Sequence, residues 1–209
     1  MSGRWIVLAA CAVIGLGSAA RAQELKGVEL TPFCGYSFSG GLKDADTGED
    51  FDIDDAACYG GMVDVRVSEN KQIEFFLSRQ ETELQSDEGL FGGPSLVDLD
   101  IDYYHLGGTY ILLTDESWQP FVVATVGATR IDPDAPDSDS LTRLSLGIGG
   151  GVRFFPTENF GLYLAGRGLF TFLSGGDTLI ESEGGSLTIE IDSDTLWQAQ
   201  LQAGVIFAF

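Results

Sequence analysis

The sequence is poor in positive charge: 11 Lys and Arg stand against 32 Asp and Glu, a formal net charge of −21 over 209 residues. Nucleic-acid binding depends on basic residues that neutralise phosphates, so that function class is excluded. Equally missing is any apolar run of the roughly 20 residues that a membrane-spanning helix requires, because polar residues break every later run within a few positions. Insertion into a membrane would have to be by strands. There is one histidine, His105. General-base chemistry built on it needs a nucleophile within hydrogen-bond reach, and no motif singles out a serine, so no enzymatic activity is expected.

Cysteine is scarce as well, with Cys11, Cys34 and Cys58 only. Met1 to Ala22 reads as a secretory signal peptide, with Arg4 at its basic start, Ile6–Leu16 as the apolar stretch and Ala20-Arg21-Ala22 as the small-residue cleavage site. A lipoprotein box at Leu8-Ala9-Ala10-Cys11 is the alternative, disfavoured because the apolar run continues past Cys11. The mature chain, residues 23–209, is expected to form one domain, with 9 basic residues against 32 acidic ones. Cys34 and Cys58 then remain in an oxidising compartment. The alternation around them puts Cys34 outward and Cys58 inward on adjacent strands, whereas a disulfide needs both on one face, so two free cysteines are expected.

What the sequence does hold is period-two alternation. Over the last fourteen residues Trp197, Ala199, Leu201, Ala203, Val205, Phe207 and Phe209 share one face, and Gln198, Gln200 and Gln202 share the other. An apolar outer row, a polar inner row and a terminal aromatic suit the closing strand of a transmembrane β-barrel. Eight strands are predicted, at Glu29–Ser39, Ala57–Val67, Gln72–Gln80, Leu99–Leu112, Pro120–Arg130, Thr142–Phe155, Gly161–Leu173 and Thr195–Phe209. The connections between them alternate long and short, so an even strand number returns both termini to the short-turn side.

Charge sorts in the same way. The windows 44–55, 81–102, 132–139 and 177–194 hold 24 of the 32 acidic residues and no Lys or Arg, which crowds the acids at one end of the molecule. A soluble protein mixes the two signs over its surface. Within the strands the charges fall in the inward register, and an Arg facing lipid at mid-bilayer would cost about 2–4 kcal/mol. Asp64, Arg66, Glu74, Arg143 and Arg167 are therefore expected to form a paired network inside the lumen. Such a filled lumen would pass no steady current, the alternative being a small channel or ligand-binding barrel. The strand at Pro120–Arg130 is apolar on both rows and gives no orientation, and Tyr103-Tyr104 suggests a bulge. Glycines 107, 108, 147, 149, 150, 151, 166 and 168 lie inside strands, as a sharply curved small barrel needs. A soluble β-sandwich is the competing fold, but its outward rows would be polar.

The segments Val28–Tyr36, Leu106–Tyr110 and Pro120–Thr129, together with terminal Phe209, resemble the outer-membrane protein β-barrel domain family of the OmpA/OmpX type, found in Gram-negative bacteria. The resemblance covers the mature chain and implies an all-β, eight-stranded antiparallel up-and-down barrel in the outer membrane, reached through the periplasm. It also implies that Val205, Phe207 and Phe209 signal to the barrel assembly machinery. OmpA itself continues into a peptidoglycan-binding domain, so cell-wall anchoring is not carried over. The expected role is structural or surface-interacting, in a monomer, with outer-membrane lipid and lipopolysaccharide as neighbours; a lipid-modifying enzyme using His105 is the third reading. No cofactor is expected. The acidic connections are candidates for holding divalent cations, and Asp44, Asp46 and Asp50 are candidate Ca²⁺ ligands, although Gly48 and Asp55 depart from EF-hand spacing.

Overall fold

A computed structural model describes residues 27–40, 42–43, 50–86, 96–113, 117–133, 140–173, 177–181, 188–191 and 195–209. The strands are β1 (Val28–Ser39), β2 (Leu42–Lys43), β3 (Asp50–Ile53), β4 (Ala56–Ser68), β5 (Lys71–Ser86), β6 (Leu96–Ile111), β7 (Trp118–Pro133), β8 (Leu141–Phe154), β9 (Phe160–Phe172), β10 (Asp177–Glu181), β11 (Thr188–Ile191) and β12 (Thr195–Ala208). Eight of them close a ring in the order β1, β4, β5, β6, β7, β8, β9, β12, every pair antiparallel. The last strand meets the first with Glu29 opposite Ala208 and Ser39 opposite Gln198. At the short-turn end Val28 donates its N–H to the Phe209 carbonyl at 3.3 Å, and Phe209 returns one to Val28 at 2.9 Å.

Alternation produces this ring because closing a sheet leaves two environments and no edges. On β9, Leu162, Leu164, Phe170 and Phe172 face outward, while Tyr163, Arg167, Leu169 and Thr171 are buried inside. The outward belt on β12 from Trp197 to Phe207 spans ten residue steps. That is about 33 Å along the strand and about 25 Å along the barrel axis at a tilt near 40°, the height of an outer-membrane apolar band. Glycine permits the tight wall: a Cβ on Gly107 would run into the Ala124 carbonyl oxygen, and one on Gly151 into that of Leu164.

Three expectations need correction. Tyr103-Tyr104 is not a bulge, since β6 keeps an unbroken register against both β5 and β7. Tyr103 simply faces in, at 1% exposure, and Tyr104 out, at 47%. The described bulge in the barrel wall lies instead at Arg66/Ser68, beside a short turn. The strands also run further than the apolar pattern did, β5 to Ser86 and β6 from Leu96, and the short strands β2, β3, β10 and β11 occupy stretches expected to be loops. Backbone pairing continues past the apolar belt because it needs no apolar side chain. For β7, whose composition gave no orientation, Phe121, Val123, Thr125 and Thr129 point inward. Residues 1–26, which include the expected signal peptide, lie outside the described residues.

Candidate functional site: a filled lumen

The lumen is layered along its axis. At the short-turn end Glu29 of β1 receives two arginines: Arg66 at 2.9 Å, and Arg153 of β8 in a buried pair. Arg153 also donates to Gln72 Oε1 at 2.9 Å and lies 4.9 Å from the Phe155 ring centre. One layer further in, Arg167 of β9 reaches across to Glu74 of β5 at 2.8 Å, with both side chains fully enclosed. Its guanidinium stacks 4.0 Å over Phe76, and Thr109 donates to the second Glu74 oxygen at 3.1 Å. Asp64 is buried beside these groups, with Oδ1 lacking a hydrogen-bond partner.

Neutral groups surround this pair and continue beyond it, with Gln200 directly opposite Arg167. The three glutamines of β12 form a polar row: Gln202 Nε2 donates to Gln200 Oε1 at 2.9 Å, and Ser78 donates to the same oxygen at 3.4 Å. Gln198 accepts from Tyr103 at 2.5 Å and donates to Ser39 at 2.6 Å and Gln80 at 3.2 Å. On the facing wall His105 lies 2.9 Å from Thr125 Oγ1 and 2.8 Å from Ser145 Oγ. Beyond them, Leu99, Ile101, Ile131, Leu173 and Leu196 are buried and fill the long-connection end of the lumen with apolar side chains.

The structure thus brings Asp64, Glu74 and Arg167 together and places Arg66 at the margin of the cluster on Glu29. Arg143 does not join it. It faces the lumen register, but near the opposite end of β8, where it donates to the Thr142 carbonyl at 2.9 Å. Two members were absent from the expected network, Glu29 and Arg153. Both were readable in principle: Arg153 shares the inward row of Ser145, and Glu29 shares that of Phe33. Ser145, the histidine's partner, carries no local motif and is found only by folding. Both His105 and Ser145 are sealed from solvent, at 1% and 0% exposure.

Outside, Val205, Phe207 and Phe209 lie along the outward row of β12, and Phe207 meets Phe160 edge-on at 6.1 Å. Cys34 is exposed and Cys58 buried, both free. Above the belt, Arg79 grips Asp102 with two hydrogen bonds of 2.6 Å, and Tyr59 donates to Glu81 at 2.9 Å. A recess of about 620 Å³ there is bordered by Glu81, Asp98, Asp100 and Asp132. Asp44 and Asp46 fall outside the described residues, and Asp50 lies in β3. Among the described residues no group of three or more His, Cys, Asp or Glu is placed to hold a metal ion.

Solved structures share this architecture. Neisserial surface protein A has 15% identity, with 87% of this chain and 97% of that one covered and a TM-score of 0.62. For OprG from Pseudomonas aeruginosa the figures are 13%, 88%, 95% and 0.62. For AlkL, determined in lipid bilayers by solid-state NMR, they are 16%, 93%, 96% and 0.58. At such identities the likeness speaks for fold alone. No curated protein matches the chain. The family model for the outer membrane protein beta-barrel domain matches residues 7–209, and with that match over a closed eight-stranded antiparallel ring, the chain belongs to the outer-membrane β-barrel family.

Proposed function

We propose that this outer-membrane barrel is a structural and surface-interacting protein that neither conducts nor catalyses. The observation that supports the reading is the population of the lumen: ion pairs, a neutral hydrogen-bonded set and buried Leu99, Ile101, Ile131, Leu173 and Leu196 follow one another along the axis, as an occluded barrel requires. Eight strands enclose a space that side chains alone can fill. The His105–Ser145 contact belongs to that filling, since a buried serine meets no lipid or protein substrate. What is left for function is the acidic surface beyond the belt. There the chain would lie among lipopolysaccharide as a monomer, with divalent cations bridging its carboxylates to lipid phosphates and no resident cofactor. Export by cleavage of residues 1–22 and recognition of Val205, Phe207 and Phe209 by the barrel assembly machinery complete the reading.

The test is reconstitution into planar bilayers and into proteoliposomes. The reading expects no stable single-channel steps and no osmotic swelling with small sugars; steady steps refute it. A narrow hydrated path is the second reading, favoured by buried polar atoms without partners, among them Asp64 Oδ1, Arg167 Nε and Nη1, and Gln200 Nε2. It expects small, frequent steps that Asp64→Asn alters.

A further inference from the structure

The apolar belt is uneven around the barrel, and a short stretch and a long stretch of it face each other across the lumen. In the ring order β5 and β9 stand four strands apart, diametrically opposite. The outward row of β9 runs from Phe160 through Leu162, Leu164, Gly166, Gly168 and Phe170 to Phe172 without a charge. Its twelve residue steps rise about 30 Å along the axis at a tilt near 40°. On β5 the outward row reads Lys71, Ile73, Phe75, Leu77, Arg79, Glu81. Only eight steps separate its two cations, a rise of about 20 Å. The rows are centred at one level, because Glu74 and Arg167, next to the two midpoints, meet inside the lumen.

Long side chains can hide such a mismatch by reaching up to water. Arg79 cannot do so freely, because both its Nε and Nη2 are bound at 2.6 Å to Asp102, which projects from the neighbouring strand directly opposite. Asp102 is too short to reach further. A tilt of the whole barrel raises one side and lowers the other, but it leaves a short belt short. We infer that the outer membrane is locally thinned beside β5 and β6 and stays at full thickness beside β9, so that the barrel's lateral partner is a bilayer with a thickness gradient across it. This inference goes beyond the proposed surface role and does not depend on what the acidic surface binds.

The test reads depth with brominated lipids. In a Trp118→Phe/Trp197→Phe background, Leu77→Trp and Gly168→Trp each place a reporter two residues from its belt centre on the side where Arg79 is held. Thinning puts the first about 5 Å from the polar boundary and the second about 10 Å from it. Quenching by bromines near the headgroup, relative to bromines near the chain end, is expected to be higher for Leu77→Trp, and identical profiles overturn the inference. A second experiment needs no reporter. The triple variant Lys71→Leu/Arg79→Leu/Asp102→Leu lengthens the short belt, so its folding equilibrium relative to the unaltered barrel should rise about tenfold or more from dilauroyl to dioleoyl phosphatidylcholine vesicles. The same ratio in both lipids overturns it.

Discussion

Replacing Glu74 by Gln keeps the shape of the side chain and removes the charge that neutralises Arg167. The two groups lie 2.8 Å apart, with their side chains only 1% and 2% exposed, so water has no room to take over the lost charge. Removing one partner of an enclosed pair costs about 3–5 kcal/mol. Two features pull the value to the lower end. Arg167 keeps its seat 4.0 Å over Phe76, an interaction worth about 2 kcal/mol when desolvated. The amide oxygen that replaces the carboxylate also still accepts a hydrogen bond. The expected loss is therefore about 3 kcal/mol. It is read from urea unfolding in phospholipid vesicles, by tryptophan fluorescence and by the heat-dependent gel mobility of folded barrels. Two controls isolate the cause. Glu74→Met with Arg167→Met removes both charges at similar volume and should return to within about 1–2 kcal/mol of the unaltered protein. Asp64→Asn added to Glu74→Gln should deepen the loss if the unpaired Asp64 carboxylate swings to Arg167. A cost below about 1 kcal/mol for Glu74→Gln, or a double Met variant no better than the single change, would refute the assignment of this pair as an enclosed, mutually neutralising unit.

Cys34 should react with a lipid-soluble maleimide in the folded barrel and Cys58 only after unfolding, with no internal disulfide on non-reducing electrophoresis; protection of Cys34 would contradict the facing of β1. His105→Ala strands Thr125 and Ser145 and should cost about 2–4 kcal/mol of stability. It should leave the lipid A profile of expressing cells unchanged, and a changed profile would restore the enzymatic reading. Gly107→Val drives a branched side chain into the Ala124 carbonyl and Thr125, and should abolish the heat-shifted folded band, whereas Gly108→Val, which faces outward with space around it, should retain it.

The fold was legible because closure obliges each strand to declare two faces. Trp197 to Phe209 did so over its whole length, and the Gln198, Gln200 and Gln202 row turned out to carry the polar layer of the lumen. Where composition did not distinguish the faces, as on β7, register against β6 and β8 decided them. The site was legible in kind but not in membership. Asp64, Glu74 and Arg167 share a face and a level; Arg143 shares only the face, because alternation fixes which side a residue takes but not its height. Glu29 had its parity from Phe33 but no partner in view, since Arg153 arrives from a strand 124 residues away, and Ser145 went unassigned because its partner His105 lies 40 residues away.

The lumen's order of polarity also bears on how such a ring can be made. Among the described residues, and apart from Arg143 near the far end, the ionised inward groups lie from the short turns up to the mid-level where Glu74 meets Arg167, and beyond it stand hydroxyls, amides, one imidazole and hydrocarbon. Taking a neutral amide or hydroxyl out of water unpaired costs a few kcal/mol, whereas an isolated ion costs tens in the limit of a dry, low-dielectric medium. Arg167 and Glu74 project from opposite strands of the ring, so neither finds its partner until the run from β5 to β9 has curled round. A charge can wait for that closure only where water still reaches it. Some neutral groups find partners on the same or the next strand, as Gln202 does on Gln200 and His105 on Thr125, whereas Gln198 must wait for Tyr103 and Gln80 across the ring. The pairs that wait longest for their partners are thus those that join opposite walls, the ionised Arg167–Glu74 and the neutral Tyr103–Gln198 alike.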